Sequence, residues 1–312
     1  MPLSPLKRLT TNMVRAVDPE RFEVIADGRT LEAIVAGPGD GTPVLMHHGT
    51  PGSAHDFWAP HLSNAAARGL RLVEYTRPGS AGSDRDEGRA VASCAADAAA
   101  VADALGAERF LTVGGSGGGP HALACAALLP DRVLAAATIA GVAPADAEGL
   151  DWLDGMGEEN VEEFAAARAG PSELEAFMSR WATELQAVTG PQVLESLGGL
   201  VSPADAEVLT GAYADFAAAG IRHSLSAGIW GWFDDDLAII GNWGFDLSEI
   251  AVPVSIWQGR DDRFVPPAHG EWLAANVTGA DAHLLEGHGH LSLALATFGE
   301  ILDELLRSAE RT

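Results

Sequence analysis

Leu111-Thr-Val-Gly-Gly-Ser-Gly-Gly-Gly-Pro-His121 sets one serine among glycines where an apolar run passes into a helical run. Gly114, Ser116 and Gly118 stand in the order G-x-S-x-G, which lets a strand turn sharply into a helix and leaves the hydroxyl exposed at the top of the bend. The glycines have a steric reason. In so tight a turn the residues two before and two after the serine press on backbone, and only a residue without a β-carbon fits there at no cost. The flanks agree: Phe110 to Val113 reads as a short buried strand, and His121 to Leu129 as an Ala- and Leu-rich helix. Other glycine-rich turns fit less well. A phosphate loop needs Lys after its last glycine, where Pro120 and His121 stand, and a dinucleotide G-x-G-x-x-G lacks an acidic ribose partner at the usual distance. Ser116 is the candidate nucleophile.

Around this turn the chain alternates strands and helices. Residues 1 to 20 are mixed, and Arg15 and Asp18-Pro19 imply a helix or loop covering an edge. Phe22 to Ile25 and Thr30 to Val35 alternate apolar and polar about Asp27-Gly28, a hairpin signal. Thr42 to Met46 and Leu70 to Tyr75 read as strands, Asp56 to Arg68 and Arg89 to Gly106 as helices, and Val133 to Val142 as a further strand. Loops rich in Gly and Pro follow two of these strands, at His47 to Ser53 and Arg77 to Ser83. The rhythm implies right-handed βαβ crossovers and an α/β fold with a doubly wound, mostly parallel sheet covered on both faces.

The rhythm stops near Ala143. Helical patterns without strands follow at Glu158 to Ala169, Pro171 to Val188, Pro191 to Leu197, Pro203 to Ala219 and His223 to Ile240, several opening on proline at the first turn. Residues 144–245 are therefore read as an inserted helical lid, and residues 1–143 and 246–312 as the core domain. The lid holds Trp152, Trp181, Trp230, Trp232 and Trp243, which either pack against the core or line a ligand cavity. Strands resume at Val252 to Trp257 and Asp281 to Glu286, and Leu291 to Arg307 closes the chain as a helix.

Composition narrows the partners. The chain has 312 residues, enough for one large core with an appended lobe, and a formal net charge of −25 with a pI near 4.5. That balance disfavours nucleic acid and anionic membranes, which are bound largely through Lys and Arg. The two cysteines, Cys94 and Cys125, lie in Ala-rich helices as core fillers, and no C-x-x-C pair marks a metal or disulfide framework. With no signal-like apolar stretch and no run of 18 apolar residues, the expectation is a soluble cytoplasmic protein, monomer or homodimer, acting on a small molecule without metal or cofactor.

The chemistry is expected where strands end, because the carboxyl ends of parallel strands share one edge and ligands bind there. The loop after Trp257, Gln258-Gly-Arg-Asp-Asp-Arg-Phe-Val-Pro266, offers Asp261 and Asp262; the loop after Glu286, Gly287-His-Gly-His-Leu-Ser292, offers His288 and His290. A serine hydroxyl needs an imidazole to take its proton, and the imidazole needs a carboxylate to fix its tautomer and stabilise its charged form. Serine, acid and histidine follow in that chain order.

On these motifs the sequence resembles the α/β-hydrolase fold superfamily over nearly its whole length apart from the lid. The resemblance implies an eight-stranded sheet. It selects Asp262, since G-x-x-D-x-x-V-P matches Gly259, Asp262, Val265 and Pro266, and it selects His290, which follows Gly289 at the start of the last helix. It further implies an oxyanion hole from the backbone N–H groups of Gly117 and Thr50. His48, Trp230 and His121 are candidate substrate contacts, although His48 also fits a role of fixing its loop and His121 one of packing. Arg77 is expected to anchor backbone or a carboxylate.

His48-Gly-Thr-Pro-Gly52 and Tyr75-Thr-Arg-Pro-Gly79 resemble the branch of proline iminopeptidases and related esterases. Two departures separate the chain from the peptidases: Thr50 stands where they carry a second glycine, and Gly117 where they carry tryptophan. The lid acids Glu158, Glu159, Glu162 and Asp234 to Asp236 read as a solvated face. The implied function is a carboxylesterase-like serine hydrolase cleaving an ester or amide of a small apolar acyl group. A proline iminopeptidase-like aminopeptidase is the alternative, and a lyase, perhydrolase or ligand receptor on the same fold the second. Dehalogenases and epoxide hydrolases of this fold use Asp as nucleophile, which Ser116 opposes.

Overall fold

The computed structural model describes residues 18–311, so the covering segment expected at the N-terminus lies mostly outside them. Strands β1 (Glu20–Ala26) and β2 (Arg29–Ala36) form the expected hairpin, with Asp27 and Gly28 both at positive φ. Such a two-residue turn matches the twist of its strands, and Asp-Gly tolerates it. Then follow β3 (Thr42–His47), α1 (Ala59–Ala67), β4 (Leu70–Tyr75), α2 (Cys94–Ala104), β5 (Phe110–Gly115), α3 (Gly119–Leu128) and β6 (Val133–Ile139). After a long helical segment come β7 (Val254–Gly259), α10 (Pro267–Asn276), β8 (Asp281–Leu285) and α11 (His290–Ala309).

The described strands form one eight-stranded sheet in the order β1-β2-β4-β3-β5-β6-β7-β8, parallel from β4 to β8 and antiparallel through β1 and β2. From β3 the chain moves outward to β4 on one side, then returns to place β5 on the other. The order reverses between β3 and β5, and the crevice over such a reversal is where ligands bind in open α/β sheets. One face of the sheet packs Cys94, Ala98 and Val101 of α2, Leu123 of α3 and Leu273 of α10. The other packs Ala65 of α1 with Leu293, Phe298 and Ile301 of α11.

Between β6 and β7 the chain runs through α4 (Glu158–Ala169), α5 (Pro171–Leu185), α6 (Gly190–Leu197), α7 (Pro203–Val208), α8 (Gly211–Ser224) and α9 (Trp230–Ile240), with no strand among the described residues there. Three details differ from the sequence expectation. The helix expected over 203–219 is broken at Leu209–Thr210, with Thr210 extended and Gly211 at φ +51°. The helix expected over 223–240 begins only at Trp230, after Gly228 at φ +104°. Helix α10, which crosses from the β7 loop back to β8, has no counterpart among the expected elements, which left the stretch after Pro266 unassigned.

Candidate active site

Ser116 follows β5 directly and takes φ +54°, a left-handed conformation that costs a non-glycine residue on the order of 1–3 kcal/mol. The glycines around it permit the turn. A β-carbon at Gly114 would overlap the Gly118 carbonyl, and one at Gly118 would overlap the His47 carbonyl at the end of β3. The strain and the close approach together hold Ser116 in the tight turn just ahead of α3, facing a cavity over the carboxyl edge of the sheet.

Asp262 and His290 reach the same edge from β7 and β8. His290 Nδ1 lies 2.7 Å from Asp262 Oδ2. Asp262 is buried, and its Oδ1 accepts from the amides of Phe264 (2.8 Å) and Val265 (2.9 Å), while Gln258 Nε2 donates to Oδ2 at 3.2 Å. Asp261 is exposed, its amide bonded to the His288 carbonyl. His283 stacks on Trp257 with centroids 3.9 Å apart and pairs with Glu304. Burial lowers the pKa of the His290 imidazole, but Asp262 and, more weakly, Asp205 outweigh it, so the net shift is upward from 6.5. Phe264 stacks on the His290 ring at 4.6 Å. Ser116 and His290 line one cavity but share no hydrogen bond among the described residues, a spacing that apo sites often show before substrate tightens them.

Opposite Ser116 stands the loop after β3. A β-carbon on Gly117 would lie 2.6 Å from Thr50 Oγ1, so the two residues pack directly across the serine. The Thr50 amide has no acceptor among the described residues, and Gly117 lies in the first helical turn, where N–H groups have no intrahelical partner. Arg77, fully buried, holds this loop. It donates to the carbonyls of His48 (2.6 Å) and Gly49 (3.0 Å), to Thr50 Oγ1 (3.0 Å) and to Asp235 (2.6 Å), and Arg89 meets Asp235 at 2.6 Å from another side. Thr50 Oγ1 donates to Asp235 in turn, at 2.8 Å.

The cavity encloses about 290 Å3. Trp152, Phe164, Phe177, Trp181 and Trp232 supply most of its aromatic wall, all from the helical segment. Polar groups interrupt that wall, Glu159 and Asn160 among them, and Glu163 of α4 meets Asp236 of α9 there, with Trp232 Nε1 donating to Glu163 at 2.5 Å. No donor among the described residues reaches either Asp236 oxygen. Burial and the adjoining Glu163 carboxylate push Asp236 well above the usual carboxylate range, and burial raises Glu163 as well. Both shifts run toward the neutral carboxyl.

Residues 42–296 match the α/β hydrolase fold family. The chain belongs to that family. A non-heme chloroperoxidase of Streptomyces lividans is 30% identical over 89% of this chain and 95% of its own length. A 2-hydroxy-6-oxononadienedioate/2-hydroxy-6-oxononatrienedioate hydrolase of Cupriavidus pinatubonensis is 27% identical over 86% of this chain and 88% of its own. Among solved structures, the bromoperoxidase of Bacillus anthracis superposes with a TM-score of 0.68 at 19% identity, covering 92% of this chain and 100% of that one, a likeness of fold.

For two of the candidate substrate contacts the hydrolase takes the other role the sequence allowed, and Trp230 and the acidic run lie elsewhere than expected. His48 does not line the cavity: its Nδ1 donates to the Gly49 carbonyl and its Nε2 accepts from the Arg77 amide, so its ring fixes the loop. His121 is buried with Nδ1 on the Gly117 carbonyl, behind the serine. Trp230 stacks under the Arg85 guanidinium at 4.2 Å, outside the cavity wall. The run Asp234 to Asp236 is no solvated face. All three are buried, on Arg85, on Arg77 and Arg89, and on Glu163 respectively. The available signal was that Arg77, Arg85 and Arg89 crowd one loop of a chain poor in basic residues.

The Asp235 pairings give a stability prediction. Removing one member of a buried ionic network leaves uncompensated charge and costs about 3–5 kcal/mol. Asp235→Ala is expected to lose unfolding free energy of that order in urea titration, because Arg77 and Arg89 would then face each other unpaired. A loss below about 1 kcal/mol, the size of an average substitution, would show that solvent compensates them.

Proposed function

We propose that the hydrolase cleaves an ester or amide of a small apolar acyl group through an acyl-enzyme on Ser116. The observation that carries this reading is the convergence of a strained, cavity-facing Ser116 and a His290–Asp262 pair on one apolar cavity. His290 Nε2 takes the Ser116 proton as Oγ bonds to the substrate carbonyl carbon. The charge that develops on oxygen is held by the Gly117 and Thr50 amides, each such donor being worth roughly 2.7–4 kcal/mol in comparable sites. The tetrahedral adduct collapses, and the alcohol or amine leaves with the proton from His290. Water, deprotonated by His290, then attacks the acyl-enzyme, and Ser116 recovers its proton as the acid departs.

A cavity of this size suits a compact acyl group, and its aromatic wall favours an apolar one. Intact-mass spectrometry after a fluorophosphonate probe, on wild type and Ser116→Ala, tests the nucleophile, and a panel of p-nitrophenyl esters and prolyl amides sorts the leaving group. One adduct on wild type and none on the variant supports the reading; labelling of both rejects it. Hydrogen peroxide added to the ester assay tests the perhydrolase alternative, in which peroxide replaces water on the same acyl-enzyme.

A second reading, aminopeptidase-like cleavage, is favoured by one observation, the Glu163–Asp236 pair inside the aromatic wall. Two adjoining buried carboxyls repel each other when ionised and would be relieved by a cation, and beside aromatic rings they suit a protonated amine. If the pair recognises an amine, Glu163→Gln combined with Asp236→Asn should raise KM for prolyl amides while leaving neutral esters within about twofold of wild type. Equal effects on both substrate types would leave the esterase reading alone.

A further inference from the structure

We propose that Asp205, on a helix of the segment inserted between β6 and β7, is a positioning residue for His290; the assignment rests on the serine-hydrolase reading above. The Asp205 carboxylate is fully buried against the start of α11, the helix whose first residue is His290. Oδ2 accepts from the His290 amide at 3.0 Å, and Oδ1 from the amides of Leu291 and Ser292 at 2.8 Å each and from Ser292 Oγ at 3.0 Å. Ser202 Oγ donates to Oδ2 at 2.8 Å and ties the carboxylate to its own helix. These are the amide groups that a helix start leaves without intrahelical partners, and α11 is a helix of 20 residues whose dipole favours an anion at that end.

Gly289 carries an independent trace of the same contact. A β-carbon there would overlap Asp205 Oδ2 and Ser202 Oγ, so the residue before the histidine is small because the inserted segment presses on it. The histidine loop is thus clamped between two carboxylates: Asp262, from the loop after β7, holds the ring through Nδ1, and Asp205 holds the backbone from which the ring extends. Those two are the charged groups that act on the imidazole, whose other face is covered by Phe264. Asp205 acts in two ways. It fixes the backbone that aims Nε2 at Ser116, and its charge favours the imidazolium.

The sign of the charge effect separates this role from plain structural support. The free enzyme needs a neutral His290 to accept the serine proton, so kcat/KM falls on the acid side as the imidazole protonates. Removing the Asp205 charge disfavours the imidazolium and moves that limb to lower pH. Asp205→Asn is expected to lower kcat by about 10²-fold, the scale of a small misplacement of a catalytic group, with KM little changed. Its acid limb should shift downward, whereas Asp205→Glu, which keeps the charge but displaces it, should lose kcat with the limb unmoved.

A folded Asp205→Asn with kcat within about threefold of wild type, or with an unmoved acid limb, overturns the assignment. Should Asp205→Asn not fold by circular dichroism, Ser202→Ala decides: a reduced kcat at constant KM supports the role, and an unchanged kcat rejects it. Phosphonylation of wild-type Ser116 is followed in the same series. No adduct on wild type rejects the serine-hydrolase reading itself, while a labelled wild type alongside an unaffected Asp205→Asn rejects only the role of Asp205.

Discussion

Ser116→Ala is expected to lower kcat by a factor on the order of 10⁶, close to removing the whole catalytic set, as follows if Ser116, Asp262 and His290 act as the one unit proposed above. At about 1.36 kcal/mol per decade this corresponds to roughly 8 kcal/mol of transition-state stabilisation. The fold should be unharmed. Ser116 sits at φ +54°, and its side chain faces the cavity rather than the core, so alanine loses no packing. His290 and Asp262 would stay paired, with no nucleophile to activate, and the residual rate would come from the Gly117 and Thr50 amides and from binding. Steady-state ester hydrolysis measures the effect. Retention of more than about a tenth of wild-type activity would mean that another group attacks, since loss of one member of such a set costs orders of magnitude.

The second large effect is expected at Asp262. Oδ1 accepts two backbone amides and Oδ2 receives His290 Nδ1 and Gln258 Nε2, so all the groups around the carboxylate are donors. In Asp262→Asn the amide oxygen keeps the two backbone bonds, and the NH2 group then meets His290. The imidazole responds by placing its proton on Nε2 and accepting at Nδ1. In that tautomer it cannot take the serine proton, and the loss should be on the order of 10⁴ in kcat, as a wrong tautomer costs in a comparable triad. Asp261→Asn should be near neutral, because that side chain is exposed and its loop contact is made by the backbone. Equal losses in the two variants would show that the Asp262 contact does not govern the tautomer.

Most of the candidate catalytic residues were legible because each sits in a short local pattern with its own steric or hydrogen-bonding cause. The elbow glycines are demanded by backbone passing within contact of them, and Gly-x-x-Asp before Val-Pro builds the turn whose amides hold the acid. The sheet was legible for the same reason, since β-strand and helix periods are read over a few residues and the crossover rule does the rest. The helical segment was less so. Its breaks at Thr210 and at Leu225 to Ile229 depend on single backbone conformations near glycine, and α10 hid behind a Pro-Pro start that opens a helix as readily as it ends one.

The substrate wall and the buried acids lay beyond the sequence altogether. Nothing local says which of Trp230 and Trp232 faces the cavity; two residues are about half a helical turn apart, so the rings point to opposite sides, and it is Trp232 that faces in. Asp234, Asp235 and Asp236 read as a hydrated run for the same reason that most acidic runs are hydrated. They are buried because Arg85, Arg77, Arg89 and Glu163 arrive from distant parts of the chain to meet them. The sequence by itself determined the sheet, its winding and the order of serine, acid and histidine, all properties of local geometry and chain connectivity. Only the tertiary structure decided which side chains wall the cavity, which carboxylates are buried against a counter-charge and how Asp205 meets the helix of His290, because burial and counter-charge are set by residues far apart in the chain.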